Sequence, residues 1–357
     1  MKNINHKYFF AENESSGFDA GGKAVSDAIS IIKKRGYLPI IIRTLSFNSI
    51  NNKFGTKLKK ILVILELFYK LFKLPKNSEI VLNYPTRINP GRATFWVFSN
   101  FKLKKFRFIF IVHDLKDLQK NENEKGGDKT LIKLLVRDGN SKIIIHTRQM
   151  RSYLVDLGVQ ESQIEILKVF DYLLPGRNKV RKNISKKSKE IIIAGNLKEE
   201  KMKYLIEINQ LKNITFNLYG NNISPVIKNY TNVNYWGSFK PEELINHLVG
   251  SFGLVWDSDR VDKLVGKKGE YQKLNSPHKI SLYLVAGLPI ILSKEAGMAE
   301  FILENNLGLV IDGLHEIDQK INDLSEEEYE QICSNVSEIG EKIKDGYFLT
   351  NALSKID

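Results

Sequence analysis

Short apolar runs of strand length alternate along the chain with longer segments whose apolar residues recur at helical spacing. Eight runs, at 39–43, 80–83, 108–113, 142–146, 190–194, 215–219, 252–256 and 289–292, read as buried strands. Segments 23–35, 130–136, 150–157, 242–249 and 279–285 read as helices between them. Strands alternating with helices predict parallel α/β units, because a parallel pair needs a crossover that a helix supplies. The rhythm breaks once. Residues 175–189 carry seven basic residues, no acid and almost nothing apolar, so they read as a solvated linker. The pattern therefore predicts an α/β protein of two Rossmann-like domains facing each other across a cleft. Their expected bounds are 1–174 and 190–324, joined by the 175–189 linker and followed by a helical segment at 325–357 that opens on Ser325-Glu326-Glu327-Glu328.

One further helical pattern has apolar residues at 61, 64, 65, 68, 71 and 72, with lysines on both sides. Glu66 and Lys70 interrupt it, and it falls short of the roughly 20 apolar residues that a membrane span needs. It fits a basic amphipathic helix on a membrane surface, or a surface helix covering a core.

Composition narrows the class. The chain has 357 residues, 42% of them hydrophobic and 27% charged, which suits a folded globular protein of two domains. A single cysteine, Cys333, excludes an internal disulfide framework or a cysteine-built zinc site. No apolar stretch follows Met1 to His6, so the expected location is cytoplasmic. The net charge of +13 admits nucleic acid, anionic membrane or phosphorylated substrates as partners.

Four segments carry candidate chemistry. In 15–37, Gly17, Gly21 and Gly22 precede a helix, a place where backbone amides can approach an anion or where a turn merely packs. In 252–292, Asn275-Ser276-Pro277 reads as a helix start, with Ser276 as the N-cap and Pro277 in the first helical position. His278 and Lys279 then fall in the first turn, so amides, dipole and ammonium converge on a site suited to a diphosphate. Asp257 and Asp259 after an apolar strand fit either a D-x-D metal site or a solvated loop. Gly195 and Asn196 end another strand ahead of Lys198 and Lys201, which suits a nucleotide phosphate or a solvated helix face, and Tyr219 closes the next strand as a ring for a base or sugar, or as a buried tyrosine. His113-Asp114 at a strand end can supply a general base or a structural imidazole. Walker A, G-x-S-x-G, H-E-x-x-H and C-x-x-C patterns are absent from the sequence.

These residues resemble a known family. The blocks AGGKAVSD, VHDLKDL (112–118), IIIHTRQMRSYLVDLGV (143–159), FDYL (170–173), AGNL (194–197), GSFGLVWD (250–257) and NSPHKISLYLVAGLPII (275–291) are similar to bacterial two-domain GT-B nucleotide-sugar glycosyltransferases. That family includes galactofuranosyltransferases and the glucosyltransferases that extend glycans on serine-rich repeat adhesins. The resemblance implies transfer of a hexose, glucose or galactofuranose, from a UDP-sugar held mainly by the C-terminal domain to a glycan on a protein or lipid carrier. Asn196, Tyr219, Ser276 and Lys279 would contact uridine and diphosphate, while Ser16 and Gly17 would close the site from across the cleft. Ser258 stands where relatives carry glycine, and Leu274 and Leu282 occupy the places of the glutamate pair found in many retaining enzymes. An inverting displacement is therefore the expectation, with Asp19, His113 or Asp114 as base, no resident metal and no cofactor beyond the donor substrate.

A homo-oligomer follows from the resemblance alone. The competing readings are a non-catalytic GT-B-like partner subunit and a metal-dependent GT-A transferase using Asp257 and Asp259. Because the basic excess lies mostly in 57–76, 102–107 and 177–189, outside the proposed chemistry, a peripheral membrane contact is expected and no nucleic-acid partner.

Overall fold

A computed structural model describes residues 6–11, 20–43, 53–86, 97–98, 101, 104–119, 128–174 and 186–356. Two six-stranded parallel sheets form the frame. The first contains β1 (Lys7–Ala11), β2 (Leu38–Ile41), β3 (Glu79–Tyr84), β4 (Arg107–Val112), β5 (Lys142–Ile145) and β6 (Ile164–Ile166), in the order β2-β1-β3-β4-β5-β6. The second contains β7 (Glu190–Ala194), β8 (Thr215–Tyr219), β9 (Val233–Tyr235), β10 (Phe252–Val255), β11 (Ile290–Ser293) and β12 (Gly308–Ile311), in the order β12-β11-β10-β7-β8-β9.

Each order reverses direction once, between β1 and β3 in the first sheet and between β7 and β10 in the second. In an open parallel sheet such a reversal leaves a crevice at the strand carboxyl ends, where ligands bind. The segments leaving β7 and β10 are therefore the places to look. Central strands are buried on both faces, and Ile191, Ile192, Ile193, Leu254 and Val255 are fully enclosed.

All eight expected strands are present, and β1, β6, β9 and β12 are additional. β6 and β9 are three-residue edge strands too short to show a period, and β12 is mostly half-buried. The expected helix at 242–249 is a correction: it stops after Pro241–Leu244. Beyond that turn the Tyr219 hydroxyl donates to His247 O (3.0 Å) and accepts from Val249 N (2.9 Å), holding the backbone away from helical pairing.

Helix Glu326–Lys344 begins in the expected capping box, with Ser325 Oγ accepting from Glu328 N (3.1 Å) and Glu328 Oε2 accepting from Ser325 N (2.8 Å). It packs on helix His278–Val285, and the last helix, Tyr347–Ile356, then returns to lie against helix Ala20–Lys34 and β6. The carboxylate of Asp171 fixes that return by accepting from Phe348 N (3.1 Å) and Leu349 N (2.7 Å), a cap supplied from 177 residues away. Burial raises its pKa to about 7.

The two units meet along the carboxyl ends of β4 and β5. Tyr271, from helix Gly266–Gln272 of the second unit, is buried in the core of the first. Its hydroxyl accepts from Leu115 N (2.9 Å) and donates to Asp114 Oδ1 (3.2 Å). Thr147 donates to Leu274 O, Ser281 to Phe170 O (2.7 Å) and Tyr172 to Pro241 O (2.9 Å). No helix among the described residues is long and apolar enough to cross a membrane.

Candidate donor site at the reversal of the second sheet

At the end of β7 the chain turns through Gly195, whose φ of 137° suits glycine. The neighbouring turn after β8 presses against it: a Cβ on Gly220 would stand 1.6 Å from Gly195 O. Two backbones in such contact make a tight floor, bordered by the side chains of Leu197 and Met202. Over that floor lies the stem of Lys279, with Cε 3.5 Å from where a Gly195 Cβ would be. Its ammonium meets Asp257 Oδ1 at 2.8 Å in a pair shielded from most solvent.

Lys279 belongs to the first turn of helix His278–Val285, and no side chain caps that helix. Ser276 is a correction here. Pro277, at φ −62° and ψ 135°, is the N-cap, so the helix starts one residue later than the Ser-Pro pair suggests and Ser276 Oγ cannot reach its amides. That hydroxyl is buried without a hydrogen-bond partner. Uncapped amides, the positive end of the dipole and the Lys279 ammonium thus meet beside the β7 turn, an arrangement that suits a bound anion, with the orphaned Ser276 hydroxyl just ahead of the helix.

A second lysine joins them that the sequence reading passed over. Lys268 donates to Lys201 O (2.7 Å), and burial, reinforced by Lys201 and Lys279, lowers its pKa to about 8 against the opposing pull of Asp257 and Asp259. Its sequence signal was faint, since Lys267-Lys268 between Gly266 and Gly269 reads as an exposed charge pair. Ser258 brings it in: the buried Oγ donates to Lys263 O (2.6 Å) and accepts from Val265 N (2.9 Å), closing the 258–265 loop. Asp259 pairs with Lys203 (2.8 Å). Both aspartates of the D-x-D segment are therefore already engaged by lysines, and no cluster of three metal-ligating side chains occurs among the described residues.

Asn196 lies exposed at the turn, its Oδ1 accepting from Lys198 N (3.1 Å) and Asn222 Nδ2 (3.2 Å). Lys201 is exposed nearby. Of the two roles open to Tyr219, the structure shows the buried one, at 1% exposure with its hydroxyl committed to residues 247–249. Its ring instead backs Trp236, stacked at 6.2 Å and 7°, and Trp236 is 46% exposed at the carboxyl end of β9.

Across the cleft, His113 follows β4. Its Nε2 donates to buried Asn83 Oδ1 (2.9 Å), which leaves Nδ1 as a lone-pair acceptor without a hydrogen-bond partner. His113 stacks on Phe170 (5.5 Å, 5°), and His146 and His278 pack against the same ring. Burial, reinforced by the neighbouring histidines, lowers the His113 pKa to about 3, and burial lowers those of His146 and His278 to about 4 and about 3. Asp114 is held by Tyr271 across the domain seam. Ser16, Gly17 and Asp19 lie outside the described residues.

Known proteins are similar to this chain in sequence and architecture. Residues 6–169 match the profile of the glucosyltransferase 3-like N-terminal domain, and 191–356 match that of the glucosyltransferase 3-like C-terminal domain. The β-1,6-galactofuranosyltransferase WbbI of Escherichia coli K12 is 30% identical over 353 residues, 98% of each chain. Glucosyltransferase 3 of Streptococcus gordonii is 37% identical over 123 residues, which are 34% of this chain and 36% of that one. The crystal structure of Anabaena Alr3699/HepE in complex with UDP superposes with a TM-score of 0.58 at 11% identity, covering 99% of both chains. The architecture is GT-B, which removes the single-domain GT-A reading.

Proposed function

The chain belongs to the glucosyltransferase 3-like family of glycosyltransferases, and from that premise we propose that it transfers a hexose, glucose or galactofuranose, from a UDP-sugar to a glycan acceptor on a protein or lipid carrier. The observation that carries the proposal is the position of Lys279, on an uncapped helix N-terminus over the bare Gly195 turn at the sheet reversal. A sugar nucleotide leaves as a nucleoside diphosphate, so charge builds on phosphate oxygens in the transition state. Lys279, Lys268 and the helix amides lie beside one another there, and once the diphosphate takes the place of Asp257 on Lys279 they would stabilise that charge electrostatically. Such a cradle supports a metal-independent reaction.

In the inverting displacement we propose, the acceptor hydroxyl oxygen bonds to the anomeric carbon while the bond from that carbon to the diphosphate breaks, its electron pair leaving with UDP. The acceptor proton needs a base, and the candidates are Asp19, His113 and Asp114. Of the two described, His113 offers an unpaired lone pair, because Asn83 holds its Nε2–H and leaves the buried Nδ1 to accept, whereas Asp114 is tied to Tyr271. The donor's negative charge would raise the imidazole's low pKa toward a useful value. Asn196, Lys201 and Ser276 are the further donor contacts we propose, with Ser16 and Gly17 closing from the first unit and Trp236 offering the exposed ring that Tyr219 does not. Incubation with a panel of UDP-sugars in EDTA tests this reading: UDP release and glycosyl transfer with a UDP-hexose are expected. No turnover of any sugar nucleotide overturns it, and turnover only after a divalent cation is restored overturns its metal independence.

A further inference from the structure

We propose that helix Lys53–Lys73 docks the first unit on an anionic lipid bilayer, lying in the interface with its outer face immersed among the headgroups and upper acyl chains. The helix has two apolar faces. Val63, Leu67 and Leu71 point inward and are at most 1% exposed. Leu58, Ile61, Leu62, Leu65, Phe68, Tyr69 and Phe72 point outward and are 43–62% exposed. At 100° per residue these seven fall within an arc of about 120°, and from Leu58 to Phe72 they run about 21 Å. Among the exposed large apolar residues of the described chain, this helix contributes the one contiguous stripe.

Charge selects the occupant. Lys57 and Lys73 flank the arc, and Lys59, Lys60 and Lys70 lie behind it. Glu66 is the one acid of the helix, and it is engaged by Arg43 N (2.9 Å). Lys73 sits 4.4 Å over the Tyr69 ring and Lys104 5.4 Å over that of Phe72, so cations edge the aromatic end of the stripe. A second copy docked face to face would bring lysine against lysine. An anionic bilayer accepts the apolar stripe and neutralises its basic margins at once. This inference rests on the helix and is independent of the donor site.

Co-sedimentation of the full chain with vesicles tests it. Pelleting is expected with vesicles of equal parts phosphatidylglycerol and phosphatidylcholine, weakening from low to physiological salt, and not with phosphatidylcholine alone. The Leu65→Glu/Phe72→Glu variant, altered at exposed positions that leave the core intact, is expected to lower partitioning at least about tenfold, whereas Leu303→Glu, exposed on the other unit, leaves it unchanged. Lys57→Gln/Lys73→Gln, which keeps the stripe, is expected to flatten the salt dependence. No pelleting at low salt overturns the proposal, as does equal pelleting of Leu65→Glu/Phe72→Glu. A fall in solution mass for that variant without any vesicle binding by the parent chain also overturns it, by assigning the face to a second copy.

Discussion

Lys279 and Asp257 form an ion pair of 2.8 Å across the floor of the candidate donor site, so the ammonium proposed to meet a diphosphate is partnered before any donor arrives. A bound diphosphate must compete with that carboxylate. Asp257→Asn keeps the backbone bond from residue 257 to Gln272 Oε1 but removes the competing charge. UDP is expected to bind the variant roughly three- to tenfold more tightly, measured by calorimetric titration. Weaker binding would show that Asp257 itself contacts the ligand.

Lys268 is expected to make UDP binding at the proposed site sensitive to pH. Its pKa of about 8 keeps it cationic below that value, so affinity for UDP is full there and declines as pH rises past it. The same decline is expected to be absent from Lys268→Arg, since guanidinium stays charged. A parallel fall in both proteins would assign the pH dependence to another group.

The domain seam rests on Tyr271. Removing its hydroxyl leaves the buried amide of Leu115 without the Tyr271 acceptor and takes one hydrogen bond from Asp114. Tyr271→Phe is expected to cost about 1–3 kcal/mol in reversible denaturant unfolding. An unchanged midpoint would mean that water replaces the hydroxyl.

His146 couples stability to acid. Its folded pKa of about 4 lies below the ordinary 6.5, so the fold favours the neutral ring. That contribution is present above pH 6.5 and lost as pH falls toward 4. Asp27 and Asp171, raised to about 6 and about 7, act oppositely, contributing below pH 3.8 and losing it as pH rises through those values. Comparison with His146→Gln cancels this background. The variant's cost relative to the parent is expected to shrink by about 2–3 kcal/mol from neutral pH to about pH 4, read by urea denaturation. A constant cost would contradict the assignment.

Legibility in the sequence followed burial. The strands β7 and β8 coincide with their apolar runs because central parallel strands are buried on both faces, whereas β6 and β9, three residues each at the sheet edges, leave no period to read. Lys279 and Gly195 were readable as local motifs, a lysine in a first helical turn and a glycine after a strand. Lys268 was not, because the Ser258-organised loop and not sequence spacing brings it to Lys279. Ser276 misled for a local reason: Ser-Pro predicts a cap, but the extended Pro277 takes that place. Tyr219 was open between two readings that spacing alone does not separate, and its hydroxyl, tied to residues 247 and 249, turns the ring inward. The tautomer of His113 depends on Asn83, thirty residues away on an adjacent strand, and only pairing of β3 with β4 places them together.

Titration calorimetry of UDP against the parent chain and Lys279→Ala tests the central claim most directly. The parent is expected to bind one UDP per chain, and the variant to bind it roughly ten- to a hundredfold more weakly, the loss of one charge-assisted contact. A parent that binds no UDP, or a variant that binds it as tightly as the parent, would contradict a donor site built on the uncapped helix and the Gly195 turn.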